Sequence, residues 1–223
     1  MDLIAAKRPR VKICCIADLD EAWLAIRYGA SALGLVSRMP SGPGVIPDDA
    51  ISEIASAIPP GVASFLLTSR RDAKEIAGQV RRSGVNTVQI CDRLETGTYE
   101  ELRDALPGVS LVQVVHVTGS RSAEEAISLD RTVDAVLLDS GNQSLPVKEL
   151  GGTGRTHDWG ISRRIREALS IPVFLAGGLT PGNIGTAISE VGPFGIDVCS
   201  GVRTNGRLDE EKLQLFFERV MSS

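Results

Sequence analysis

The chain has 223 residues, of which 43% are hydrophobic and 23% charged, and its formal net charge at pH 7 is −4. That length suits one α/β barrel of ~200–250 residues, and an acidic balance without a Lys/Arg stripe argues against nucleic-acid binding. No apolar run approaches the ~20 residues needed to span a bilayer, and the first ten residues carry no signal-peptide core, so the expected location is the cytoplasm.

In chain order, short apolar runs alternate with longer amphipathic ones. Val11–Cys14 reads as a strand and Asp18–Tyr28 as a helix, with Leu19, Ala22, Trp23 and Ile26 at helical spacing. The pattern repeats as strand Ala32–Val36 with helix Asp48–Ile58, then strand Ala63–Leu67 with helix Arg71–Ser83. Strand Thr87–Ile90 precedes helix Tyr99–Ala105, and strand Leu111–Val117 precedes helix Ser122–Ser128, whose Ser122-Ala123-Glu124-Glu125 start predicts a capping box. Strand Ala135–Asp139 with helix Ile161–Leu169, strand Val173–Ala176 with helix Pro181–Val191, and strand Ile196–Val198 with helix Asp209–Met221 complete the series. Continuous apolarity suits strands buried on both faces, as in a parallel sheet. Eight such units predict a single (β/α)8 TIM barrel over residues 1–223, with residues 1–9 as a flexible N-terminal extension. A doubly wound open sheet fits less well, because no GxGxxG follows the first strand. The longest irregular piece, Ser140–Asp158, is expected to be an active-site loop.

The residues that could carry chemistry fall at strand ends, which face the active-site mouth of such a barrel. Cys14 closes the first strand; a thiol there can serve as a proton-transfer base or pack as a small buried hydrophobe. Asp139 closes the sixth strand, where desolvation would raise its pKa and favour a proton-donating form over a plain loop acceptor. Ala176-Gly177-Gly178-Leu179 and Cys199-Ser200-Gly201-Val202 follow strands seven and eight, the usual place for phosphate on backbone N–H groups. Asn183 and Arg203 are candidate helpers there, and Gly151-Gly152-Thr153-Gly154 adds flexible backbone at the same mouth. The four cysteines show neither CxxC spacing nor disulfide density. Cys14, Cys91, Cys199 and His116 have zinc-compatible chemistry, but no short ligand spacing supports a site, so no metal is expected.

Lys12-Ile13-Cys14 with Asp18, Gly29-Ala30, Gly34, Val88-Gln89, Leu138-Asp139, Gly151–Trp159, Ala176–Leu179 and Asp197–Val202 together resemble the phosphoribosylanthranilate isomerase family of tryptophan biosynthesis. The likeness runs in order from about Val11 to the final helix. It implies a cofactor-free (β/α)8 barrel that performs an Amadori rearrangement of a small phosphosugar substrate, with no nucleic-acid or membrane partner. Under that resemblance Cys14 is the general base and Asp139 the general acid. Gly177, Gly178, Ser200 and Gly201 hold the phosphate, and Arg38, Gln89, Gly152 and Gly154 belong to the substrate loops. Monomer and homodimer both stay open.

The chain departs from the family pattern at several places. Cys15 stands where the family has glycine, and Pro43 where an arginine recognises the anthranilate carboxylate. Gln89-Ile90-Cys91-Asp92 replaces Gln-Leu-His-Gly, Arg203 stands at a common glutamate, and His157 replaces an aromatic residue. Arg38, Arg155 and Arg203 are the candidates to supply the charge lost at Pro43. An isomerase for a different phosphoribosylamine and a non-catalytic phosphosugar-binding barrel are the alternative readings.

Overall fold

A computed structural model describes residues 8–223 of the chain. The strands are β1 (Arg10–Ile13), β2 (Ala32–Val36), β3 (Ala63–Thr68), β4 (Thr87–Ile90), β5 (Ser110–His116), β6 (Ala135–Asp139), β7 (Val173–Leu175) and β8 (Gly195–Val198). They pair in parallel in sequence order, and β1 also pairs with β8, so the sheet closes into a barrel. The helices are α1 (Leu19–Tyr28), α2 (Asp48–Ala57), α3 (Ala73–Ser83), α4 (Tyr99–Ala105), α5 (Arg121–Ser128), α6 (Trp159–Ala168), α7 (Ile184–Val191) and α8 (Glu210–Met221). A short antiparallel pair, β9 (Arg203–Thr204) and β10 (Arg207–Leu208), follows a 3-10 turn after β8. Most of the expected N-terminal extension, Met1–Lys7, lies outside the described residues, while Pro9 is already buried.

The near-continuous apolar strands serve two cores. One face of each strand packs on the helices: Val11, Ile13, Leu33, Leu35, Val136 and Leu138 share a cluster with Ala22, Ile51, Ile76, Ile165 and Phe216. The alternate residues fill the barrel, with Cys14, Val36, Phe65, Leu67, Val112, Leu137 and Phe174 in a second cluster. Each fully buried Leu, Ile or Val contributes about 1.5–3 kcal/mol, which is why β-like runs without polar alternation are stable only as a closed, helix-wrapped sheet.

Helix starts are set by local side chains. Asp18, Asp72, Asp158 and Asp209 each accept from backbone N–H groups in the first turn of the helix they cap. Several boundaries shift by a residue or two from expectation, β1 ending at Ile13 and α6 starting at Trp159 among them, and two differences have a visible cause. A complete capping box sits at Thr98 and Glu101 on α4, not at Ser122. Ser122 is buried inside α5, where its hydroxyl donates to His116 O and accepts from Thr118 N, so tertiary contacts take the group the pattern assigned to a cap. Helix α7 begins three residues later than Pro181, because Thr180 and Asn183 hold the preceding loop in a turn.

Candidate active site

The ends of the strands open into a cavity lined by Cys14, Gln89, Asp139, Asp197, Gly177 and Ser200, among others. Its residues come from the ends of β2, β3, β4, β6 and β8 and from the loops after β1, β2, β4, β6, β7 and β8. Cys14 is buried; its N–H donates to Val198 O at 2.8 Å, the last bond of the β1–β8 seam, and the side chain turns inward. Room for the thiol comes from Gly34 on β2, where an added Cβ would lie 2.8 Å from Cys14 Sγ.

Asp139 is buried at the end of β6 and its Oδ1 accepts from Ser140 N at 2.7 Å. Burial raises its pKa, assisted by the Asp197 carboxylate, while the Ser140 N–H, His116 and Lys12 act against the rise. Oδ2 has no hydrogen-bond partner among the described residues, and Gly151 lets the long loop cross directly over it. A Cβ at Gly151 would sit 2.8 Å from that oxygen, and its φ of 140° suits glycine. The Ser140–Asp158 segment therefore is the roof of the cavity, stapled by paired backbone bonds between Asn142 and Glu149 and by Ser140 Oγ to Thr153 Oγ1 at 2.6 Å.

On the opposite lip, the Ser41–Gly44 loop meets this roof: Ser41 Oγ donates to Lys148 O at 2.7 Å, and Pro43 abuts Gly152. Val36, Met39, Pro43, Leu67 and Leu150 give that side an apolar wall, and among the described residues no lysine or arginine lines the cavity. Gly177 and Gly178 adopt φ of 83° and 61° beside Ser200, and Asn183 Nδ2 donates to Gly178 O at 2.9 Å.

Beneath the cavity lies a group that the sequence left without a role. Lys12 is fully buried, its Nζ 2.9 Å from Asp197 Oδ1 and 5.3 Å from the Phe65 ring centre. Burial, the largest influence, opposes its charge, but the Asp197 carboxylate together with the neighbouring Cys14 and Cys15 sulfurs holds the Lys12 pKa above its ordinary value. Strand alternation offers the signal: Lys12 shares the inward parity of Cys14, as Asp197 shares that of Cys199.

Other expected residues fall elsewhere. Gln89, Gly152 and Gly154 line the cavity, but Arg38 is exposed and does not. Gly201 is not part of the lining, because its backbone packs against Leu179 O. Asn183 braces the Gly178–Thr180 loop from behind instead of facing the cavity. Arg155 is exposed and paired with Glu149. Arg203, read as an anion-binding helper, is buried against Glu21 and the carbonyls of Cys14 and Cys15. His157 bonds Ser162 Oγ at 2.7 Å outside the cavity. Among the described residues no group of three or more His, Cys, Asp or Glu side chains could hold a metal ion, and no helix is long and apolar enough to cross a membrane.

Residues 11–219 match the family model for N-(5′-phosphoribosyl)anthranilate (PRA) isomerase. The chain belongs to the N-(5′-phosphoribosyl)anthranilate isomerase family. The isomerase is, like its relatives, an enzyme of tryptophan biosynthesis. It is 37% identical to N-(5′-phosphoribosyl)anthranilate isomerase 2 of Methanosarcina mazei over 95% of this chain and 93% of that protein. It is 36% identical to the isomerase of Methanothrix thermoacetophila, over 96% and 98% of the two chains. The crystal structure of the Thermotoga maritima isomerase superposes with a TM-score of 0.80 at 27% identity, covering 96% of this chain and all of that one. A phosphoribosylanthranilate isomerase crystallised with reduced 1-(o-carboxyphenylamino)-1-deoxyribulose 5-phosphate superposes at 0.78 with 26% identity, over 96% of this chain and all of that one.

Proposed function

We propose that this isomerase converts N-(5′-phosphoribosyl)anthranilate to 1-(2-carboxyphenylamino)-1-deoxyribulose 5-phosphate with Asp139 as general acid and Cys14 as general base. The observation that carries the reading is that a buried carboxyl with a raised pKa and an unpartnered Oδ2 shares one cavity with a strand-end thiol. Asp139 gives its proton to the furanose ring oxygen as the C1′–O bond breaks, and the nitrogen lone pair forms a protonated Schiff base. The Cys14 thiolate then removes the C2′ proton, and the electron pair moves into the iminium to give an enolamine. Return of a proton to C1′ and loss of the enol proton give the ketone, leaving acid and base as they began.

The two glycines at 177 and 178 and Ser200 support phosphate binding by backbone N–H groups and a hydroxyl. The wall of Val36, Met39, Pro43, Leu67 and Leu150 suits a flat aromatic ring. With Pro43 at the family's arginine position, the anthranilate carboxylate falls to backbone N–H groups of the Ser41–Gly44 and Gly151–Gly154 lips. A relative's complex with the reduced product supports the placement of phosphosugar and ring in one site of this fold.

The test is turnover of phosphoribosylanthranilate, followed as loss of anthranilate fluorescence. Cys14→Ala and Asp139→Asn should each lower kcat by at least about 10²-fold. Near-wild-type turnover in either variant overturns the role given to that residue.

A further inference from the structure

We propose that Arg203 is a positioning residue for Cys14, clamping the Cys14–Cys15 backbone so that the thiol stays turned into the cavity. The inference rests on the reading of Cys14 as the general base. It starts from Cys15, which holds a φ of 63°, a left-handed conformation that a side chain disfavours. Strain of this kind persists only where surrounding contacts over-determine it.

The contacts that do so converge on one guanidinium. Arg203 Nη2 donates to Cys15 O at 2.5 Å and to Cys14 O at 3.2 Å. The same nitrogen donates to Glu21 Oε2 at 3.0 Å, and Nη1 donates to Glu21 Oε1 and Gly206 O, both at 3.0 Å. Glu21 is fixed in turn by Ala17 N at 3.1 Å and Leu208 N at 2.9 Å. Helix α1, the β9–β10 hairpin and the end of β1 are thereby tied to a single planar fork. Its centre is buried: the Arg203 and Glu21 side chains are 7% and 3% exposed.

The carbonyls it holds have no place in the sheet. The β1–β8 ladder ends at Cys14 N, and the next backbone bond is Ile16 N to Gly34 O at 3.0 Å. Arg203 supplies the donors that these two buried carbonyls would otherwise lack. Without it, Cys15 is free to relax towards negative φ, which rotates the shared peptide and carries Cys14 with it. Both side chains are closely packed, Gly34 abutting Cys14 Sγ and Gly44 abutting Cys15 Cβ, so the rotation carries the thiol out of its seat beside Gly34. A lysine cannot replace the fork, because one ammonium does not span two carbonyls, a carboxylate and Gly206 O in a plane.

The experiment is a rescue. Glu21→Gln with Arg203→Met removes the clamp without leaving a lone buried carboxylate. We expect kcat to fall at least about tenfold while KM stays within about twofold, because the base is displaced and substrate contacts are not. Adding Cys15→Gly, which adopts left-handed φ freely, should bring kcat back to within about threefold of wild type. A loss that glycine at position 15 does not relieve, or no loss at all, overturns the clamp. Should the double variant fail to fold, Arg203→Lys retains the charge and must show a kcat deficit that Cys15→Gly relieves; otherwise the clamp is refuted. An active Cys14→Ala variant would instead remove the base assignment, and the clamp's purpose with it. An inactive Cys14→Ala beside wild-type clamp variants refutes the clamp alone.

Discussion

Lys12 Nζ and Asp197 Oδ1 lie 2.9 Å apart at paired register positions of β1 and β8, closing a buried ion pair across the barrel seam below the cavity. Removing one partner leaves the other charged and dry, which costs more than the pair itself gains. Lys12→Met should therefore lower unfolding stability by about 3–5 kcal/mol. Lys12→Met with Asp197→Leu should recover most of that loss. Denaturant unfolding of the three proteins checks it, and a double variant as unstable as the single one would contradict the argument.

Gly34 sits where the Cys14 and Lys12 side chains need space. A Cβ there would lie 2.8 Å from Cys14 Sγ and 3.0 Å from Lys12 Nζ. Gly34→Ala should displace the thiol, lowering kcat by about tenfold or more, with a stability cost of about 1–3 kcal/mol. Steady-state kinetics beside thermal unfolding distinguishes displacement of the thiol from unfolding.

Gln89 brings an unspent acceptor to the cavity. The Cys91 thiol donates to Gln89 O at 3.7 Å, and its sulfur accepts from Gln89 Nε2 at 3.8 Å, so Oε1 is left without a partner. Burial pushes the Cys91 pKa up, which keeps the proton this arrangement needs on the sulfur. A substrate hydroxyl or N–H is the natural donor to Oε1. Gln89→Leu should reduce kcat/KM about tenfold, and stability should not fall, because a buried unpaired acceptor is removed. Unchanged kcat/KM would show that substrate leaves this oxygen alone.

His157 predicts a pH dependence of stability. Burial lowers its pKa from 6.5 to about 4, so the folded state binds fewer protons than the unfolded state between those values. Its contribution is therefore complete above pH 6.5 and is lost as pH falls towards 4. The loss reaches about 3 kcal/mol at one pKa unit per 1.36 kcal/mol. In His157→Gln the unfolding free energy should fall less steeply between pH 6.5 and 4.5. Equal slopes in the two proteins would place the acid sensitivity elsewhere.

The sequence by itself determined the barrel, its strand ends and the placement of Cys14 and Asp139. These follow from local chemistry: apolar runs too short for helices, punctuated by capping aspartates and left-handed glycines, read the same in any context. It also marked the glycine loops after β6, β7 and β8 as the cavity's rim, because backbone that must bend sharply is written in residue type. Charged residues were read less well. Arg203 and Arg155 looked available for an anion, yet one is buried on Glu21 and the other is paired with Glu149. Lys12 stands inside a motif with nothing local to mark its role, yet it is among the largest fully buried side chains of the described residues. A long charged side chain reaches partners remote in sequence: Lys12 and Asp197 are 185 positions apart, Glu21 and Arg203 182. Which partner it finds is decided only when barrel closure brings β8 beside β1 and folds the hairpin after β8 against α1. Local pattern fixes where a thiol or a carboxylate emerges; the tertiary structure alone decides what holds it there.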